Sequence, residues 1–151
     1  MTKERTIQFE ATASRPKKGL VVIYDLEGFS QFFNQPDVQD YVPKFLNRVN
    51  DAIGRIIYGG AQYWLPSELK PTVTRSALTA LPAHEKFLGD GAMFIWLDQG
   101  GSTISTQFVV ELCNHLYNLQ SSFEEVVKAA YDEMPVFDLP KPIRIGIVCA
   151  R

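Results

Sequence analysis

Two stretches in which apolar residues recur every three or four positions, one on each side of a hairpin signal, restrict this chain to folds in which two amphipathic helices share one sheet. In the first, Val38, Tyr41, Val42, Phe45, Val49, Ile53 and Ile56 predict a helix over 38–58. Asp37 is suited to cap it and Gly59-Gly60 to stop it. Pro43 lies inside the pattern and either starts the helix or kinks it. In the second, Ile104, Phe108, Leu112, His115, Leu116, Leu119, Phe123, Val126 and Ala130 predict a helix over 104–131. Between them, Glu85–Leu88 and Ala92–Leu97 flank Gly89-Asp90-Gly91, and Asp-Gly between two β-rich runs is a strong hairpin signal.

A strand pattern stands at each end of this unit. Gly19–Tyr24 reads GLVVIY, an almost wholly apolar and β-branched run that predicts a strand buried on both faces. Ile143–Cys149 reads IRIGIVC and predicts another strand. The resulting order is strand, helices, hairpin, helix, strand. It implies an α+β fold with helices on one face of a mostly antiparallel sheet, a ferredoxin-like arrangement built on a split βαβ unit. Residues 1–18 form a polar lead-in to a domain over 19–151, and residues 60–83 carry three prolines and no sustained period.

Composition narrows the function classes. At 151 residues with 46% apolar side chains, ten Phe and two Trp, the chain can bury a core without disulfides. Its net charge of −2 and scattered basic residues, apart from the short Arg15–Lys18 cluster, argue against a nucleic-acid partner. The polar start MTKERTIQFE is unlike a signal peptide, and no stretch approaches the roughly 20 apolar residues of a membrane span, so a cytoplasmic protein without a membrane partner is expected. Cys113 and Cys149 lack the spacing of a zinc site or redox pair and are expected to be buried free thiols.

Two carboxylates stand where chemistry would need them. Asp25 ends the first strand and Asp90 sits at the tip of the hairpin. Each alone is ordinarily a turn or cap residue. Together, on neighbouring strands, they form a hard-oxygen site for magnesium or manganese, to which Leu26 adds a backbone carbonyl. Two cations held there suit phosphoryl chemistry. Glu27, Gly28, Phe29 and Ser30 then open a helix whose free N–H groups would face a triphosphate.

These residues also carry a family resemblance. Tyr24-Asp-Leu-Glu-Gly-Phe-Ser30 resembles the strand-to-helix signature of the class III adenylate and guanylate cyclases, and Lys86-Phe-Leu-Gly-Asp-Gly91 resembles their metal-binding hairpin. The resemblance spans about residues 19–149. It implies Asp25 and Asp90 as catalytic metal ligands for two Mn2+ or Mg2+ ions, with Leu26 ligating through its carbonyl. It also implies a head-to-tail homodimer with active sites at the interface. The wording His84-Glu-Lys-Phe-Leu-Gly-Asp-Gly91, with the long insert before it, is similar to the bacterial pyrimidine cyclases of the Pycsar antiphage systems. That likeness implies conversion of UTP, or CTP, to a 3′,5′-cyclic monophosphate in antiviral defence. Lys86 occupies the base-reading position; taken alone it favours ATP, and in a narrower pocket its ammonium would serve a pyrimidine carbonyl. The family's transition-state Asn and Arg come from a helix after the last strand seen here, so the resemblance implies either further sequence beyond Arg151 or an incomplete site. An adenylate cyclase and a catalytically silent nucleotide-binding module of the same fold remain alternatives.

Of the remaining candidates, His115 falls on an apolar helix face and is expected in the core, and His84 at the surface. Arg75 and Arg144 are candidates for phosphate contact, while Phe32, Phe33, Tyr63 and Trp64 suit packing, a dimer surface or a stacking wall.

Overall fold

The computed structural model describes residues 17–36, 38–60, 78, 80–100, 103–131 and 143–150. Four strands, β1 (Gly19–Leu26), β2 (His84–Phe87), β3 (Gly91–Leu97) and β4 (Ile143–Ala150), form one sheet in the order β2-β3-β1-β4. Every pairing is antiparallel. β1 and β2 are therefore parallel to each other with β3 inserted between them, which is the split βαβ order expected from the pattern. The helices are α1 (Phe29–Phe33), α2 (Val42–Gly59) and α3 (Thr106–Tyr131).

The pleat explains which side of the sheet the helices cover. Leu20, Val22, Tyr24 and Leu26 on β1 are buried, and three of them pair with the buried Trp96, Phe94 and Ala92 of β3. Partners across a ladder share a face. Trp96 meets Phe108 of α3 edge-on at 5.8 Å, and the Tyr24 hydroxyl donates to Asn50 of α2 at 2.5 Å, so both long helices pack on that face. The indole N–H of Trp96 is satisfied by the Ala80 carbonyl at 3.0 Å. α1 is anchored to α2 through Phe32 and Phe45, whose rings lie 4.7 Å apart.

The other face is open, which corrects the expectation that the first strand is buried on both sides. Ile23 is 39% exposed and Asp25 is exposed. The run was misread because an edge of alternation is invisible when apolar residues occupy both faces: Val21 and Ile23 are β-branched like their buried neighbours. The strand also continues to Leu26, so Asp25 lies within the ladder and does not terminate it.

The helix boundaries follow local chemistry. α2 starts at Val42 with Pro43 in its first turn, where a missing N–H is harmless, so the proline starts the helix and does not kink it. The preceding Val38–Asp40 is a separate 3₁₀ turn, and Tyr41 takes the N-cap position. Asp37 lies outside the described residues. Ser105 caps α3, its hydroxyl accepting the Phe108 N–H at 3.1 Å. Cys113 is exposed on α3, contrary to expectation, because its position falls off the apolar stripe of that helix. The Cys149 thiol, the lead-in through residue 16, and Tyr63, Trp64 and Arg75 lie outside what is described.

His115 is a core residue as expected. It is fully buried, and its Nδ1 lies 2.9 Å from the Ile57 carbonyl near the C-terminus of α2. This contact ties α3 to the end of α2, whose last carbonyls have no partner within the helix.

Candidate active site

The end of β1 and the β2–β3 hairpin meet at one corner of the sheet. Asp25 is the register partner of Gly91, and the Leu26 N–H donates to the Asp90 carbonyl at 3.0 Å. The hairpin is closed by the Leu88 N–H on the Gly91 carbonyl at 2.8 Å, with Gly89 at φ 98 in the left-handed region. Directly opposed α-carbons lie about 5 Å apart, and one further residue adds about 3.8 Å. The α-carbons of Asp25 and Asp90 are thus no more than roughly 9 Å apart by these spacings. The structure brings the two carboxylate-bearing residues together.

The closeness depends on Gly91. A Cβ built there would lie 2.1 Å from the Tyr24 carbonyl oxygen and 3.2 Å from the Asp25 α-carbon. Only a residue without a side chain lets the hairpin approach β1 this closely.

Asp25 is fully on the open face, where alternation also puts Ile23, Met93, Lys86 and His84. Ile23 pairs with Met93, which pairs with Lys86; His84 pairs with Ile95. Lys86 and His84 are both exposed. Lys86 is therefore on the same face as Asp25, one row inward and two strands away. Arg144 of β4 stands at the register position opposite Asp25.

Glu27 and Gly28 form a turn, and Phe29 and Ser30 open α1. Gly28, at φ 81, takes the N-cap position of α1, and its carbonyl accepts the Phe32 N–H at 3.1 Å. α1 is only five residues long, a single turn. Phe32 is buried and Phe33 is 40% exposed. Gly28→Ala should cost about 1–2 kcal/mol, because a Cβ is disfavoured in this conformation although nothing crowds it. Chemical denaturation would measure that loss.

The fit to cations can be judged from the donors. Two carboxylates and a backbone carbonyl at one corner are hard oxygen ligands, and magnesium commonly takes one or two carboxylates with substrate phosphates and water completing its shell. Asp25, Asp90 and Leu26 fit that pattern. A closed cage is a different matter: among the described residues there is no cluster of three or more His, Cys, Asp or Glu. Any ion here would have to share its ligands with a substrate.

Behind the corner, two phenols brace the sheet against α2. Tyr24, next to Asp25, bonds Asn50, and Tyr58 donates to the Glu85 carboxylate of β2. Burial pushes the Tyr24 phenol well above its ordinary value. Burial, and then the hydrogen bond and charge of Glu85, do the same for Tyr58. Both resist ionisation when folded, so their contribution is undiminished below the ordinary phenol value of about 10. It declines as pH rises above that, because the unfolded chain ionises first. Unfolding measured between about pH 9 and pH 11 should show this alkaline loss, and Tyr24→Phe should flatten it. This pair was missed in the sequence, where the spacing of Tyr24 to Asn50 and of Tyr58 to Glu85 carries no signal.

No protein-family model matches the chain, and no curated protein matches it. Among solved structures, it is similar to the adenylyl cyclase CyaB from P. aeruginosa, with a TM-score of 0.50 and 15% identity. The match covers 87% of this chain, which spans 56% of the length of that one. None of the described helices is long and apolar enough to cross a membrane. At this identity the likeness is one of fold: the two chains share an α+β architecture of helices packed on an antiparallel sheet.

Proposed function

We propose that this chain is a nucleotide cyclase domain, closing a nucleoside triphosphate into its 3′,5′-cyclic monophosphate with release of pyrophosphate. The observation that carries the reading is the register at the end of β1, where Asp25 faces Gly91 and Leu26 is bonded to Asp90. The fold shared with an adenylyl cyclase supports it. In the reaction the 3′-oxygen bonds to the α-phosphorus and the bond from that phosphorus to the β-phosphate bridge breaks. Asp25, Asp90 and the Leu26 carbonyl would hold two Mg2+ or Mn2+ ions, which supply activation of the 3′-hydroxyl and neutralise the triphosphate. The chain's own part is to hold Asp25 on the β1 ladder and Asp90 in the hairpin bend beside it, tied by the Leu26 N–H, which is the positioning such chemistry needs.

The same reading takes the open face as the surface that a second copy covers, in a head-to-tail homodimer. Val21, Ile23, Met93, Ile95 and Leu97 leave that face apolar and half-exposed around Asp25 and Lys86. Lys86 is the proposed base contact, and UTP or CTP the favoured substrate, in a Pycsar-type antiphage role. Glu27 to Ser30 would meet the triphosphate through their backbone. ATP is the second reading, favoured by the ammonium of Lys86 and by the similarity to an adenylyl cyclase.

Incubation with manganese and each of ATP, GTP, CTP and UTP, with the product identified by mass, tests this. One cyclic product is expected. Dimeric protein that is silent with all four triphosphates, yet binds one of them, would overturn the catalytic reading and leave a nucleotide-binding module.

A further inference from the structure

On the opposite side of the sheet from Asp25, a cleft of about 400 Å³ lies between α2 and β2. It falls within the size range of small-molecule sites. Four aromatic rings line it: Tyr24, Phe94, Tyr58 and Phe87. Tyr24 and Phe94 are stacked at 6.2 Å, while Tyr58 meets Phe94 edge-on, also at 6.2 Å. Phe87 is 53% exposed, an unusual exposure for a ring on a strand. Gly54 on α2 leaves room, since a Cβ there would meet nothing within 4 Å.

A carboxylate stands at the wall of this cleft. Glu85 and Lys86 both border it, but they alternate along β2. Glu85 pairs with the buried Phe94 and so shares the cleft's side of the sheet, whereas Lys86 pairs with Met93 and is directed to the open face. The phenol of Tyr58 bonds one carboxylate oxygen of Glu85, which fixes the group at the cleft wall. Aromatic faces carry negative electrostatic potential and attract cations, and an adjoining carboxylate adds to that attraction.

We propose that the α2–β2 cleft is a binding site for a small organic cation, taken between its aromatic walls and the carboxylate of Glu85. This site is separate from the corner that carries Asp25 and Asp90, and its existence does not depend on the cyclase reading. Its nearest link to that corner is Tyr24, which lines the cleft and immediately precedes Asp25.

Calorimetric titration of the folded chain with benzamidinium, and with neutral benzamide of the same shape, tests the proposal. Saturable binding of benzamidinium is expected, with benzamide weaker by about 10-fold or more. Glu85→Gln should weaken benzamidinium to a similar degree. Gly54→Leu, which fills the space above α2, should do the same while keeping its thermal transition, so the test does not rest on Glu85 alone. Asp25→Asn should leave this binding unchanged. No saturable binding, equal affinity for benzamide, or an unaltered affinity in Gly54→Leu would overturn it.

Discussion

Asp25→Asn and Asp90→Asn should each lower cyclic-nucleotide formation by more than about 100-fold, since even partners that only orient a metal ligand are worth 10- to 100-fold. Asn keeps the shape and removes the charge that holds the cation. Asp25 is exposed and joins the ladder through its backbone, so its replacement should change unfolding stability by no more than about 0.5 kcal/mol. The two residues would serve one cluster, so the double variant should be about as slow as either single one. Rates with saturating manganese, measured beside urea unfolding, check both halves. A variant that turns over normally would remove these residues from the site, and one that merely unfolds would not satisfy the expectation.

Gly91→Ala should be the most damaging single methyl addition near the corner. The new carbon would lie 2.1 Å from the Tyr24 carbonyl oxygen, a backbone atom in the middle of the sheet. Nothing flexible can yield, so β1 and the hairpin must separate. Overpacking of this kind costs about 1–3 kcal/mol, and the upper part of that range is expected. The effect on activity should exceed the effect on stability, because separation moves Asp90 away from Asp25 while the helical core stays packed. Equilibrium unfolding and rate measurements on the same preparation would show it. Stability within about 0.5 kcal/mol of the parent, with normal rates, would mean that the hairpin approaches β1 less closely than this geometry requires.

The contrast between Asp25 and Gly91 shows why the site was only partly legible in the sequence. Asp25 and Asp90 are each ordinary turn or cap residues alone, and stood out because together, at a strand end and a hairpin tip, they match a hard-oxygen cation site. Gly91 looked like half of an ordinary Asp-Gly turn. Its role comes from the close approach of Tyr24, 67 residues earlier (91 − 24 = 67), and no local pattern encodes that distance. Tyr24–Asn50 and Tyr58–Glu85 were missed for the same reason. The reading of β1 as buried on both faces failed because Val21 and Ile23 are apolar although their face is open. Cys113 was misjudged through the general tendency of free thiols to be buried, where the helical phase gave the better guide.

By itself the sequence determined the order and kind of the elements, since apolar period is a local property that the backbone geometry of helix and strand reads directly. It also determined the hairpin, whereas at Pro43 it left a start or a kink open and the structure chose the start. Only the tertiary structure decided which face of the sheet stays open, that Lys86 shares it with Asp25, and that Glu85 turns to an aromatic cleft on the other side. Those outcomes depend on ladder register, and one step of register carries every side chain of a strand to the opposite face.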